Sequence, residues 1–397
     1  MNLTILIDLD GTLLTNHIDH FIPVYLEALS RHLHPVPPQL IIQEIMFATR
    51  KMLENQSPAD TLENIFDRHF YPAIGRNKLE LQEKIDSFYR DVYPKLRQYT
   101  SQKPGVIEFI KNSFERGAQV TIATNPIFPR TAIHQRLYWA GLPPEEYPFS
   151  IISTYETFHF AKPSPVFYAE LLARLGWPVG PVVMIVNDFD MDIQPAELLN
   201  VPTYLLDDLG PELGKKLGSG SGSGNISSLS HWINQASLKN LGYVYQNKES
   251  FLSIIKSTPA VIHTIIKELP NHPFTSTSQI EGWSLNEILG HLGNEEKNVH
   301  LPSIQKFLSI KNLMFQETKT DQGISASQNF PSDEISIFHE YLEARGELIQ
   351  TLEKIPDYEW KRSTESGDCG NPTIIGLCGI IASHDQEHIR QIKQLII

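Results

Sequence analysis

Cysteine is nearly absent: two residues, Cys369 and Cys378, stand in a chain of 397. Two thiols cannot build a disulfide scaffold and neither has zinc-ribbon spacing, so both are expected to be ordinary reduced side chains. Basic charge is scarce as well. Lys and Arg total 33 against 46 Asp and Glu, a formal net charge of −13, which argues against a nucleic-acid backbone as the main partner. No apolar run reaches the roughly 18–20 residues of a membrane helix. The chain passes from Met1 straight into a strand pattern, without the basic region or cleavage site of an exported protein. The expectation is a cytoplasmic protein with no nucleic-acid or membrane partner. No internal repeat is evident. With 41% hydrophobic residues, this is more chain than one core usually organises, and two domains are expected.

The plainest boundary signal is Gly218-Ser219-Gly220-Ser221-Gly222-Ser223-Gly224, a composition that reads as a flexible run burying nothing. Ile226, Leu229, Trp232 and Ile233 follow at helical spacing, so the run reads as a loop near the end of the first domain, or as an inserted linker. The junction proper is placed at residues 241–247. Before it, β-type segments alternate with helical ones, the pattern of a parallel sheet covered by helices. The strands expected are 3–7, 119–123, 149–153, 182–186 and 202–205. About 105 residues separate the first two strands, far beyond an ordinary connection. They carry four amphipathic patterns, read as a helical cap over residues 15–98 at the sheet's C-terminal edge, where open α/β folds bind ligands. After residue 247 four helical patterns remain, at 251–269, 285–298, 332–352 and 373–396, the signature of a small bundle. The polar stretch 317–331 reads as a loop.

Asp8-Leu9-Asp10-Gly11-Thr12 follows directly on the first strand. A spacing of two puts both carboxylates on one side of an extended backbone, where they are able to bind a divalent cation or to divide nucleophilic and acid/base work. Thr124 and Asn125 end the second strand and offer a hydroxyl and backbone donors to a phosphate oxygen. Lys162 precedes Pro163 at a helix start and supplies positive charge. Asp188 and Asp192 follow the strand 182–186, with spacing that lets one bind Mg²⁺ while the other supports the site from behind.

In this order the segments resemble the haloacid dehalogenase-like hydrolase superfamily, over residues 1–240. The resemblance implies an α/β Rossmann-like fold with a helical cap inserted after strand 1, and an aspartyl-phosphate mechanism. Asp8 would be the nucleophile, Asp10 the general acid and base, Thr124 and Lys162 the stabilisers of the phosphoryl group. Asn125 would join Thr124 and Lys162 in binding substrate. Asp8, the Asp10 carbonyl and Asp188 would hold Mg²⁺, with Asp192 behind them. The family's dehalogenases lack the second aspartate of the first motif, so Asp10 points to a phosphatase acting on a small phosphorylated metabolite. One departure is Asn187, where relatives carry Gly; a side chain there is able to reshape the backbone beside the metal.

In the last region Ser284 and Glu287 form a capping-box pattern ahead of His291, and His384 and His388 lie four apart on the final helix. The string His384-Asp385-Gln386-Glu387-His388 fits an inverted zinc-protease motif, but the chain ends too soon after it to supply the remaining ligand. Residues 248–397 instead resemble the DinB-like, or YfiT-like, metal-binding four-helix bundles. That resemblance implies His291, His384 and His388 as ligands of Ni²⁺ or Zn²⁺, and in some relatives a low-molecular-weight thiol as co-substrate. A second reading follows, in which the first domain is a vestigial binding module and the bundle a thiol-dependent transferase. A third treats the bundle as a homodimerisation element.

Overall fold

The computed structural model describes residues 3–16, 18–207, 217–234, 247–268, 283–309, 334–362 and 373–395. Two compact units divide the chain: Met1–Leu171 with Pro178–Val244, and Leu172–Trp177 with Tyr245–Ile397. The junction expected at 241–247 falls, but for its last residue, outside the described residues. So do the expected loop 317–331 and Cys369.

The first unit is built on a five-stranded parallel sheet. Its strands are β1 (Thr4–Ile7), β4 (Gln119–Ile122), β5 (Val182–Val186), β6 (Thr203–Leu206) and β7 (Gly222–Gly224), in the order β4-β1-β5-β6-β7. β1 and β5 are buried along their whole length, as strands covered on both faces must be. The segment 149–153, expected as a strand, runs beside β4 but forms only one regular bridge, Ile122 to Ile152. Ser150 and Ser153 donate to β4 carbonyls and Ile122 donates to Ile151, too short a ladder for a strand.

A second correction concerns the Gly/Ser run. Its last residues form β7, which pairs with β6 from Tyr204–Gly222 to Leu206–Gly224. The glycines serve packing here, since a Cβ on Gly222 would lie 2.7 Å from Cδ1 of Trp232. Trp232 belongs to α9 (Ile226–Ile233), and its indole N–H donates to the Gly220 carbonyl at 3.1 Å.

Between β1 and β4 the chain leaves and returns through a two-stranded antiparallel ribbon, β2 (Leu14–Asn16) with β3 (Thr100–Gln102). Above this ribbon lie α1 (Ile18–His32), α2 (Pro38–Leu53), α3 (Leu62–Ala73) and α4 (Lys78–Ser87), then a π-helical turn Phe88–Val92 and a 3-10 segment Tyr93–Tyr99. Thr61 and Asn77 cap α3 and α4 by accepting from Asn64 N and Glu80 N. One continuous apolar core joins Ile41, Phe70 and Leu81 of these helices to Ile5 and Val120 of the sheet. Covering helices are α5 (Val106–Glu115), α6 (Arg130–Trp139), α7 (Pro165–Arg174) and the short α8 (Gln194–Glu197).

The second unit is a bundle of α10 (Lys248–Glu268), α11 (Leu285–Glu295), α13 (Glu334–Glu353) and α15 (Ile374–Leu395). Ser284 and Glu287 make the expected capping box at the start of α11. Expected to end near residue 298, the second helix continues through a π-helical turn Glu296–His300 into α12 (Leu301–Ser309). A one-turn helix, α14 (Asp357–Trp360), follows α13. Cys378 is free and buried. No described helix is long and apolar enough to cross a membrane.

Candidate functional site

In the first unit a cavity of about 640 Å³ opens between the strand ends and the cap. Asp8, Asp10, Thr124, Asn125, Lys162, Asp188 and Asp192 all line it, so the structure brings together every site residue expected in this unit. Asp8 is 6% exposed. One carboxylate oxygen accepts from Lys162 Nζ at 2.7 Å, the other from Thr12 Oγ1 at 3.2 Å. Lys162 is equally buried and also meets Asp192 at 2.5 Å. Tyr168 donates its hydroxyl to the same Asp192 oxygen, so Asp192 backs the lysine.

One ammonium thus serves two buried carboxylates. Burial pushes the Asp8 carboxyl up to about 7, with Lys162 opposing and Asp192 adding to the rise. Burial alone would lower the Lys162 ammonium, but Asp192 and Asp8 outweigh it and the net direction is upward. Lys162 therefore keeps its proton, and Asp8, sharing its cation, is the strained member.

The loop that carries Lys162 is pinned from behind. Glu170 of α7 accepts from the backbone N–H groups of His159 and Phe160 and meets His159 Nδ1 at 2.9 Å. Asn125 Oδ1 accepts from Lys162 N at 3.2 Å, and Ser153 ties the Thr124 carbonyl at 2.6 Å. Asp10 has both oxygens facing donors: Asn16 Nδ2 at 2.7 Å and Arg136, a wholly buried residue of α6. Sequence reasoning missed Arg136. Its only signal was a cation among the apolar positions Ile133, Leu137 and Ala140.

The Asn187 side chain lies against Gly11, where a Cβ would come within 2.2 Å of Nδ2, and its Oδ1 accepts from Thr12 at 3.1 Å. Asp188 keeps extended backbone and accepts from Asp190 N and Met191 N, each at 2.9 Å. The carboxylates of Asp8 and Asp188 that line this corner are hard oxygen donors, the kind that suits Mg²⁺.

The second unit gathers His291, His384 and His388, with one ring nitrogen from each within 4.8 Å of the others. His384 Nε2 lies 2.9 Å from His291 Nε2 and 3.0 Å from His388 Nε2. One ring nitrogen of His384 faces both neighbours, and a cation held by three lone pairs would satisfy all three nitrogens at once. Gln391 Oε1, 2.7 Å from His388 Nδ1, places the proton there and turns the Nε2 lone pair inward. Burial lowers His291 to about 4 and His384 to about 3, with the neighbouring imidazoles adding to the fall. Three imidazole nitrogens facing one point fit a borderline cation such as Zn²⁺ or Ni²⁺. Trp283 lies over the group, its ring centre 5.2 Å from that of His291.

Beside the histidines is a charged set that the sequence did not reveal. Arg345 forks onto Asp385 at 2.6 and 2.8 Å and pairs with Glu296, and Thr258 donates to Asp385 at 2.7 Å. Arg345, Asp385 and Glu296 are at most 1% exposed.

The family model for haloacid dehalogenase-like hydrolases matches residues 3–199. The first unit is a haloacid dehalogenase-like hydrolase domain. Solved structures similar to this chain include the HAD phosphatase from Thermococcus onnurineus, at 18% identity and TM-score 0.38, over 59% of this chain and 98% of that one. They also include the 2-haloacid dehalogenase from Pseudomonas syringae pv. Tomato DC3000, at 17% identity and TM-score 0.41, over 59% and 98%. YfiT from Bacillus subtilis, described as a probable metal-dependent hydrolase with an unusual four-helix bundle topology, is 16% identical at TM-score 0.32, over 37% and 85%. No curated protein matches the chain.

Proposed function

We propose that the hydrolase domain is a Mg²⁺-dependent phosphatase of a small organic phosphate. The observation that carries this reading is Asp10, a second carboxylate two residues beyond Asp8, oriented by Arg136 and Asn16 at the floor of the cavity. A dehalogenase needs no acid at that place, whereas an alkoxide leaving from phosphorus does. A carboxylate oxygen of Asp8 attacks phosphorus, and the bond to the ester oxygen breaks as that oxygen takes a proton from Asp10. Water then gives a proton to Asp10 and its oxygen attacks the same phosphorus. The Asp8–phosphorus bond breaks, which regenerates the carboxylate and releases phosphate. Lys162 and Thr124 face the charge that develops on the phosphoryl oxygens. Asp8, the Asp10 carbonyl and Asp188 would hold Mg²⁺, which supplies further positive charge at the phosphate when bound. Hydrolysis of p-nitrophenyl phosphate should fall at least about 10⁴-fold in Asp8→Asn; activity that survives the change would remove Asp8 from the nucleophile's role.

The convergence of three imidazoles favours a second activity centred on the bundle. We read it as a Zn²⁺ or Ni²⁺ site held by His291, His384 and His388, with a low-molecular-weight thiol as candidate co-substrate. Metal analysis of the purified protein, with and without added thiol, tests it. If neither metal is retained, this reading fails.

A further inference from the structure

We infer that the ester taken by the hydrolase domain has a large, uncharged, apolar leaving group. The inference rests on the phosphatase reading and adds the chemistry of the part of the substrate that is not phosphate. All the charged side chains of the lining except Asp19 lie at the floor of the cavity. Its cap-side wall is apolar, carried by residues such as Leu26, Leu29, Leu33, Ile45, Phe66 and Phe70. Of the hydroxyls lining the cavity away from its floor, those of Tyr25 and Tyr89 bond each other at 2.9 Å and so present less polarity to a ligand than their number suggests; Thr49, Tyr71 and Tyr155 line the cavity too.

Charge narrows the choice further. Among the described lining residues Lys162 is the one basic side chain, and it is engaged by Asp8 and Asp192 at the phosphate end. A second phosphate or a carboxylate on the substrate would meet no counter-charge, and Asp19 on the wall would repel it. A sugar would leave many hydroxyls against hydrocarbon, each costing its lost hydrogen bonds to water. The volume also exceeds what a phosphate alone can fill, since about 640 Å³ lies in the range of sites for drug-sized ligands. An alkyl or aryl chain satisfies all three conditions.

The test is a chain-length series, from butyl to dodecyl phosphate, assayed with Mg²⁺ beside 3-phosphoglycerate and glucose 6-phosphate. Each methylene entering the cavity should raise kcat/KM about fourfold until the space is full, and the polar esters should trail the best alkyl ester at least about 100-fold. A flat series, or a preference for the polar esters, would overturn the inference while leaving the phosphatase reading intact. If no ester is hydrolysed, the phosphatase reading falls and binding decides alone. Decylphosphonate should then bind the full chain at least about 100-fold more tightly than methylphosphonate, and equal affinities would overturn the inference. Met46→Lys gives an independent check, because Met46 lines the cavity and is 54% exposed, so its replacement spares the core. The ratio of decyl phosphate to 3-phosphoglycerate turnover should drop about tenfold or more; an unchanged ratio would mean that this wall does not read the leaving group.

Discussion

Both units bury a cation between two carboxylates: Lys162 between Asp8 and Asp192, and Arg345 between Asp385 and Glu296. In the hydrolase domain the lysine is a point charge that divides itself between two acids, and both of them line an open cavity. In the bundle the arginine closes a fork on one acid, which is also tied by Thr258. The two acids respond in opposite senses. Burial pushes Asp8 up, to about 7, against the pull of Lys162, whereas burial of Asp385 is outweighed by Arg345, which holds it below the usual range. An underpaired carboxylate at a cavity is poised for chemistry, and a fully engaged one is poised to hold helices together.

Replacing each cation by an apolar side chain of similar length is the most drastic way to break that contrast. Arg345→Met should cost the bundle about 3–5 kcal/mol, because it leaves two buried carboxylates without their cation in a closed interior. Lys162→Met should instead cost catalysis, lowering kcat on p-nitrophenyl phosphate about 10²–10³-fold, with a smaller stability loss because Asp8 is able to take up a proton beside a water-accessible cavity. Urea unfolding and steady-state kinetics on both variants measure the two effects. If Arg345→Met unfolds at the wild-type urea concentration, the bundle's ionic set is not structural and the comparison collapses.

His384→Ala is next in size. It removes the nitrogen that both other rings face, and metal affinity should fall at least about 100-fold, read as metal per chain after dialysis. The same histidines give the bundle a pH dependence when metal has been stripped. An unfolded histidine titrates at its ordinary 6.5, while the folded His291 and His384 resist protonation until about 4 and about 3. Below pH 6.5 the unfolded chain therefore binds protons that the folded one refuses. Stability is fully present above 6.5 and is lost as the pH falls toward 4. Thermal unfolding of chelator-treated protein across pH 4–7.5 should show this slope, and His291→Ala should flatten it.

The site was legible in the sequence where chemistry is local. Asp8 and Asp10 share a strand end, His384 and His388 share a helix face, and Ser284 with Glu287 forms a cap within one turn, so spacing alone places each set. Partners from distant segments were not legible. Arg136 reaches Asp10 across 126 residues, and Arg345 reaches Asp385 across 40, and nothing local to a buried cation in an apolar helix pattern says which carboxylate it meets. The surroundings of Asn187 were not legible for the same reason, since its side chain lies against Gly11, distant in sequence and lacking a Cβ.

The Gly/Ser run was the hardest to read, and it offers the smallest and most discriminating of these tests. Composition marks residues 218–224 as flexible, because glycine has weak strand preference and buries no side chain. Tertiary packing decides otherwise. Glu197 accepts from Gly218 N at 2.9 Å and from Ser221 Oγ at 2.7 Å, β6 supplies the ladder for 222–224, and Trp232 needs the space a side chain at 222 would take. Gly222→Ala would place a Cβ within 3 Å of two atoms of a ring that is itself 6% exposed, so the ring or the strand has to shift. A loss of about 1–3 kcal/mol is expected for such overpacking, whereas a flexible linker would tolerate alanine within about 0.5 kcal/mol. The same change at Gly117, where no atom lies within 4 Å but φ is +74°, costs only the left-handed backbone penalty of about 1–2 kcal/mol. Double-mutant analysis separates the two causes: Trp232→Leu should relieve the loss at Gly222→Ala and leave that at Gly117→Ala untouched.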